Sequence, residues 1–307
     1  NQSTGFAPIH NQIANTPGIL DYLHEFKHEV EEGKDIFTVG EANGVAPNQL
    51  HQWVGKDGVF DMIFEFSHVN LKFADGEVWC KTKNWKLTEL KQAISASQAN
   101  TAKNGWYPIF FENHDQPRSV NNFLSEGSNT IQGAKALGML LMTLRGTPFL
   151  YQGEELGMSN VSWTSIKNFN DLSTHNQYKI ALDNGHTPED AIKIMQKHSR
   201  DNARTPMQWN DKSQAGFTTG KPWLAVNDNY KLVNAEAEAA DSQSVLSWYQ
   251  KLHALRQNNP VLVAGDYQEI LADNEAIFAY TRNSEDTQAI VLINFTNDTQ
   301  SYPKELC

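Results

Sequence analysis

Several charged side chains in this 307-residue chain stand directly after short apolar runs. A carboxylate at the end of a buried strand is poised at the mouth of a sheet, where partial burial can raise its pKa for general-acid work. Glu41 closes the run Asp-Ile-Phe-Thr-Val-Gly (35–40) in this way. Standing alone it would read as the cap of a loop. A second run, 106–111, leads into Glu112-Asn113-His114-Asp115-Gln116-Pro117-Arg118. His114 offers a hydrogen-bonding imidazole and Asp115 a second carboxylate. Two carboxylates facing one cavity suit glycoside cleavage, which needs a proton donor and negative charge beside an oxocarbenium-like transition state. Further on, Arg200 and Arg204 are four apart and would share a face on a helical turn. Their guanidiniums could hold carboxylates or donate to sugar hydroxyls, and structural ion pairing fits them equally well. Glu154 and Glu155 read as structural loop acids. The histidines other than His114 show no ligand spacing with Cys or acids, so no metal site is expected. No phosphate-cradling glycine loop and no Ser-His-Asp order emerges.

The elements that must carry these groups alternate. Residues 17–32 predict a helix with Thr16 as N-cap, Pro17 in the first turn, and Ile19, Leu20, Leu23, Phe26 and Val30 on one face. Buried strands are expected at 35–40, 59–66, 106–111 and 147–152, with helices after the second (closed by Gly105) and over 131–145. Short apolar strands alternating with amphipathic helices argue for a parallel sheet covered by helices, here four βα units, half of a (β/α)8 barrel of about 250 residues. A long excursion, 153–230, follows the fourth strand and contains a helix started by Thr187-Pro188-Glu189-Asp190. A closing helix, 245–259, ends before Pro260. The β-type runs 276–282 and 289–295 then begin a small antiparallel β domain. The expected division is 1–258 for the barrel portion and 259–307 for the start of a β-sandwich.

A hydrophobic content of 39% and a charged content of 20% are ordinary for a globular chain, enough for a sizeable core. The formal net charge of −11 leaves no basic stripe, which argues against nucleic-acid binding. No apolar run approaches the ~20 residues of a membrane span. Two cysteines, Cys80 and Cys307, make neither a disulfide framework nor a zinc site. The first residues have no signal-peptide features, and both ends read as cuts through a longer protein.

Four segments, FTVGEANG (37–44), FENHDQPRSV (111–120), RGTPFLYQGEELGM (145–158) and SRDNARTPMQWNDKSQAGFTTGKPWLAVNDNY (199–230), resemble the α-amylase superfamily, glycoside hydrolase family 13. The similarity is greatest to its oligo-1,6-glucosidase/α-glucosidase branch and covers essentially the whole chain. It implies the C-terminal half of a (β/α)8 TIM barrel followed by the start of an antiparallel β domain. It implies Glu41 as general acid/base and Asp115 as the transition-state stabiliser gripping sugar hydroxyls in the −1 subsite, with His114 beside it. Arg200 is implied as a −1 residue near the nucleophile and Arg204 as a neighbour toward +1. Ala42 and Asn43 fall where family members contact the +1 sugar, and they differ from the more usual Thr or Met.

The mechanism implied is retaining: an aspartate attacks the anomeric carbon while the acid protonates the leaving oxygen, and water completes the second half. That aspartate belongs in a GFRxD-type motif, which residues 1–40 lack. Barrel strands one to four, the inserted B domain and any calcium loop are expected outside this chain, and no cofactor within it. The function implied is exo-acting release of glucose from short α-glucosides, α-1,6 first, with trehalose-6-phosphate hydrolase and α-1,4-glucosidase as alternatives. Sucrose isomerases carry an Arg-x-Asp-Arg element where this chain has Phe66–Lys72. A catalytically inactive transporter heavy chain on the same scaffold is the non-enzyme alternative; retention of Glu41 and Asp115 weighs against it. The expected partner is an oligosaccharide, with no membrane, and the missing disulfides point to a cytoplasmic location. The 307 residues by themselves are expected to be inactive.

Overall fold

The computed structural model describes residues 14–73, 78–101, 105–125, 127–128 and 130–303, so Cys307 lies outside the described residues. The chain opens with α1 (Ile19–Glu31). Its N-cap is Gly18 in the left-handed region, with no side-chain cap bond, so Thr16 does not play the expected part. Ile19, Leu20 and Leu23 pack against a small cluster of Ala42, Val45, Leu50, Trp53, Val54 and Ile63. Tyr22, Phe26 and Val30 remain exposed.

Strand β1 (Val39–Glu41) pairs in parallel with β2 (Met62–Phe64), and α2 (Leu50–Trp53) lies between them in sequence. The ladder is half the length of the apolar run before Glu41. Ile36 and Phe37 stay exposed, because pairing begins only at Val39↔Met62. Just before it, Asp61 accepts from the Thr38 amide at 2.7 Å and closes the pair side chain to backbone. Helix α3 (Leu87–Thr101) follows, and the Gly105 amide donates to Thr101 O at 3.0 Å, closing it as expected. Next come β3 (Pro108–Ile109), α4 (Ser119–Asn122), α5 (Thr130–Thr143) and β4 (Thr147–Pro148); β3 and β4 are parallel, in register Pro108↔Thr147.

Side chains, not a continuous ladder, join the two strand pairs. Phe64 meets Phe110 edge-on at 5.1 Å and Phe149 at 4.7 Å, and His68 Nε2 donates to Phe110 O at 2.7 Å. Glu65 is buried, yet the hydrogen bonds and charge of His68, with Ser67 and Tyr107, overcome that burial and hold its carboxyl down to about 2. Since Phe64, Phe110 and Phe149 each follow or end a strand, this aromatic layer brings the carboxyl ends of β2, β3 and β4 together.

The excursion holds α6 (Leu172–Asp183), α7 (Pro188–His198) and α8 (Asp201–Arg204), and α9 (Ala235–Ala240) follows it. As the Thr-Pro-Glu-Asp signal predicts, Thr187 Oγ1 caps α7 by accepting from the Asp190 amide at 3.1 Å. Helix α10 (Val245–Asn258) ends where expected, but Pro260 then begins a further short helix, α11 (Pro260–Ala264). Proline at a first helical position lacks only an amide hydrogen that would be unsatisfied anyway. Strands β5 (Asp266–Ile270), β6 (Ile277–Asn283) and β7 (Gln288–Asn294) form an antiparallel meander.

The largest core cluster runs through α3, α5, α10 and the meander, with Leu137, Leu140, Leu141, Tyr249, Phe278 and Tyr280 all buried. Helices α5 and α10 approach closely because position 138 is glycine; a Cβ there would stand 2.7 Å from the Tyr249 ring. Two buried arginines then tie the carboxyl end of α5 to its neighbours. Arg256 donates to Met142 O, Leu144 O and Gly146 O, and Arg282 to Thr143 O at 2.6 Å and Leu262 O at 2.7 Å. The end of a helix leaves carbonyls unsatisfied and carries partial negative charge, so guanidiniums suit it. Burial, with Arg256 and Arg145 nearby, brings the Arg282 guanidinium down to about 10. The meander thus shares the main core of the βα units and braces the segment that enters β4.

Candidate active site

Glu41 ends β1 in register with Phe64. That residue belongs to the aromatic layer at the strand ends, so Glu41 rises at the end of the sheet from which the loops after β3 and β4 also leave. Its side chain is exposed among the described residues, and the partial burial expected for a general acid is not present there. Ala42 turns the other way: it is buried in the Leu50–Trp53 cluster, and its amide donates to Phe64 O at 3.0 Å. Alternation along an extended segment puts neighbouring side chains on opposite faces. Its methyl therefore serves the core, where a sugar contact was expected, and Asn43 is the exposed member of the pair.

The loop after β3 is built around two buried acids and one arginine. Glu112 accepts from the Ser119 amide at 2.7 Å, Ser119 Oγ at 2.8 Å and Arg118 Nη1 at 3.0 Å. Arg118 also donates to Gln152 O beyond β4 at 2.8 Å and to Asn202 O in the excursion at 3.3 Å, welding three loops together. Close by, burial and the neighbouring Glu112 push Glu154 well above the ordinary carboxylate range. On this support Asn113 folds the exposed tip, its Oδ1 accepting from the Asp115 amide at 2.8 Å. His114 is mostly exposed, with Nε2 3.6 Å from Asp115 Oδ2, a charge-range approach longer than a hydrogen bond.

The excursion delivers both arginines to Asp115. Arg200 Nη1 donates to Asp115 Oδ1 at 3.3 Å, and Arg204 Nη2 donates to the same oxygen at 2.6 Å. Arg204 Nε also donates to His114 O at 2.8 Å. Behind them sits Asp171, which sequence reasoning missed. Its Oδ1 accepts from Arg200 Nε at 3.1 Å and Nη2 at 2.5 Å, and it lies 3.7 Å from Arg204 Nη1. Burial works against its charge, but the bonds from Arg200 and Thr174 prevail and leave its pKa below the ordinary value. Conversely, the bond to Asp171 raises Arg200 in spite of burial. Asp171 is also the N-cap of α6, its Oδ2 accepting from the Thr174 amide at 3.0 Å. The signal for it was an ordinary capping pattern, an Asp three residues before a Thr at the head of a helix.

An aspartate that accepts from two guanidiniums is held in one orientation, with an imidazole at its side. Such a group can accept hydrogen bonds from vicinal hydroxyls or face a developing positive charge. Glu41 supplies a second, solvent-reachable carboxyl at the same end of the sheet. Among the described residues, no group of three or more His, Cys, Asp or Glu side chains is placed to hold a metal, and no helix is long and apolar enough to cross a membrane.

Parallel βα units with polar groups gathered at the carboxyl ends of the strands, followed by an antiparallel meander, define the C-terminal half of a (β/α)8 barrel and the start of the β domain beyond it. Comparison with known proteins makes the assignment specific. The chain matches the alpha amylase catalytic domain over residues 2–265, and it belongs to that family. It is 40% identical over 300 residues to an oligo-1,6-glucosidase of Bacillus cereus, covering 96% of this chain and 53% of that protein. It is 34% identical to a trehalose-6-phosphate hydrolase of Escherichia coli (strain K12), covering 93% and 52%. Among solved structures, the trehalose-6-phosphate hydrolase of Bacillus licheniformis superimposes with a TM-score of 0.87 at 36% identity, over 95% of this chain and 53% of that one. A trehalulose synthase superimposes with a TM-score of 0.88 at 35% identity, covering 94% and 54%. The chain spans about half the length of the curated relatives it matches.

Proposed function

We propose that this chain provides the acid/base and transition-state-stabilising side of a retaining α-glucosidase that releases glucose from short oligosaccharides, α-1,6-linked ones first. The observation that carries this reading is Asp115 clamped by Arg200 and Arg204 at the same end of the sheet as Glu41. In this scheme Glu41 gives its proton to the glycosidic oxygen as the bond to the anomeric carbon breaks. A nucleophilic carboxylate takes the anomeric carbon into a covalent ester; we assign that role to none of the residues of this chain. Glu41, now a carboxylate, removes a proton from the water that attacks the ester, and glucose leaves with its configuration retained. Asp115 accepts from ring hydroxyls whose acidity grows as positive charge develops, while the arginines hold it in place.

Similarity to oligo-1,6-glucosidases favours the α-1,6 preference. A second reading, hydrolysis of trehalose 6-phosphate, is favoured by the structural likeness to the B. licheniformis enzyme. The test is hydrolysis of isomaltose, maltose and trehalose 6-phosphate by the whole protein and by its Glu41→Gln variant. Glucose release from isomaltose that falls about 10²–10⁴-fold in the variant is expected, the usual contribution of a positioned acid/base. Inertness toward all three substrates, or an unaffected variant, overturns the proposal.

A further inference from the structure

Away from the strand-end acids, a cleft of about 430 Å³ lies beside α1, and a larger one of about 910 Å³ lies between the amino end of α3, the loop after α4 and the carboxyl end of α7. None of Glu41, Asp115, Arg200 and Arg204 lines the larger cleft. In a chain of net charge −11, its lining is unusual: among the described residues it holds Lys72, Lys83, Lys86, Lys197 and His198 against one acid, Glu275. Two of the four lysines are already neutralised at the rim: Lys83 Nζ lies 2.6 Å from Glu89 and Lys86 Nζ 3.5 Å from Glu275. Lys72 and Lys197 have no ion pair among the described residues.

A half-buried ammonium that feels a second ammonium, with no carboxylate paired to either among the described residues, costs free energy that a bound anion would recover. Burial, and Lys197 after it, bring the Lys72 ammonium down to about 8. His198 is only 7% exposed and its Nδ1 has no partner among the described residues. Burial, then Lys72 and Lys197, lower it to about 3, so the ring adds no positive charge to the cleft. Phe73 and Trp79 hold the ring in place at centroid distances of 5.3 and 6.1 Å. Trp85, half-buried in the same lining, offers an apolar face to whatever carries the charge.

We propose that this cleft is an oxyanion site, taking inorganic phosphate or the phosphate group of a small organic monoester between Lys72 and Lys197. The proposal is independent of the glucosidase reading. Two ammonium groups match the charge of a tetrahedral dianion, and charge-assisted bonds of this kind are roughly twice as strong as neutral ones.

Calorimetric titration of the full 307-residue chain with inorganic phosphate, glucose 6-phosphate and glucose tests it. Phosphate and the ester are expected to bind and glucose to give no heat at this cleft. Equal affinity for the two anions would mark the phosphate alone as the recognised group, and a tighter ester would place its organic part against Trp85. The Lys72→Gln/Lys197→Gln double variant should bind about tenfold or more weakly, one lost charge-assisted bond being enough for that change. Lys83→Gln, whose ammonium already pairs with Glu89, should stay within about twofold. A second readout needs no variant. Acetylation of Lys72 in the unmodified chain, followed by mass spectrometry, should fall several-fold with phosphate and not with chloride of equal ionic strength. Unchanged Lys72 labelling, no phosphate heat, or full binding by the double variant each overturns the site.

Discussion

Replacing Asp171 by asparagine removes one negative charge from between two guanidiniums and leaves the shape of the side chain intact. Asparagine caps helices as well as aspartate does, so the bond from the Thr174 amide to Oδ2 need not be lost with the charge. What is lost is the acceptor for Arg200 Nε at 3.1 Å and Nη2 at 2.5 Å, because an amide nitrogen turned toward them is a donor facing donors. Each charge-assisted bond contributes about 1.5–3 kcal/mol. Arg200 is about a third exposed and keeps its bond to Asp115, so solvent and that second partner offset part of the loss. We expect a destabilisation of ~2–3 kcal/mol at neutral pH, read as a urea midpoint roughly 0.7–1 M lower if m is near 3 kcal/mol/M. The pH dependence has a definite sign. Asp171 is more acidic folded than unfolded, so its contribution is complete above the unfolded carboxylate value of about 3.9 and is lost as pH falls through the lower folded value. The gap between the two proteins should therefore be widest near neutrality and should close in acid. Equal midpoints at pH 7, or a gap unchanged in strong acid, would refute the assignment of Asp171 as the residue that holds Arg200.

Glu154 titrates in the opposite sense: with its folded pKa raised, its contribution is complete below the unfolded carboxylate value and is lost as pH rises toward the folded one, so Glu154→Gln should flatten the fall in the urea midpoint as pH rises above the ordinary carboxylate range. Gly138→Ala drives a methyl to 2.7 Å from the Tyr249 ring, and scanning calorimetry should show a loss of about 1–3 kcal/mol despite the better helix propensity of alanine. Arg282→Met keeps bulk but strips donors from Thr143 O, Leu262 O and Gly265 O, and a urea midpoint should register a cost of about 3 kcal/mol or more. Glycosidase assay of the purified 307-residue chain with isomaltose should detect no turnover; turnover abolished by Glu41→Gln would show that the chain contains a nucleophile after all.

Local signals in the sequence were read well where one short segment carries the whole cause. The Thr187-Pro188 start of α7, the Gly105 close of α3 and the apolar runs of β6 and β7 each depend on neighbours within a few residues, and each appears in the structure. The strand before Glu41 is shorter than its apolar run for the converse reason. Six apolar-leaning residues predict burial, but a ladder needs a partner, and β2 supplies one only from Val39 onward. The same asymmetry runs through the site. Arg200 and Arg204 were legible because four residues of spacing place them on one face, and both do reach Asp115. Their orientation, however, comes from Asp171, 29 residues before Arg200 in sequence, whose local role is merely to cap α6. A capping aspartate accepts backbone amides with one oxygen and has the other to spare. Here the spare oxygen turns a helix start into the anchor of two guanidiniums, and they in turn fix the direction of Asp115. The chemistry expected of Asp115 therefore depends on a helix cap, a dependence that motif spacing cannot display because it exists only after the excursion has folded back over the end of the sheet.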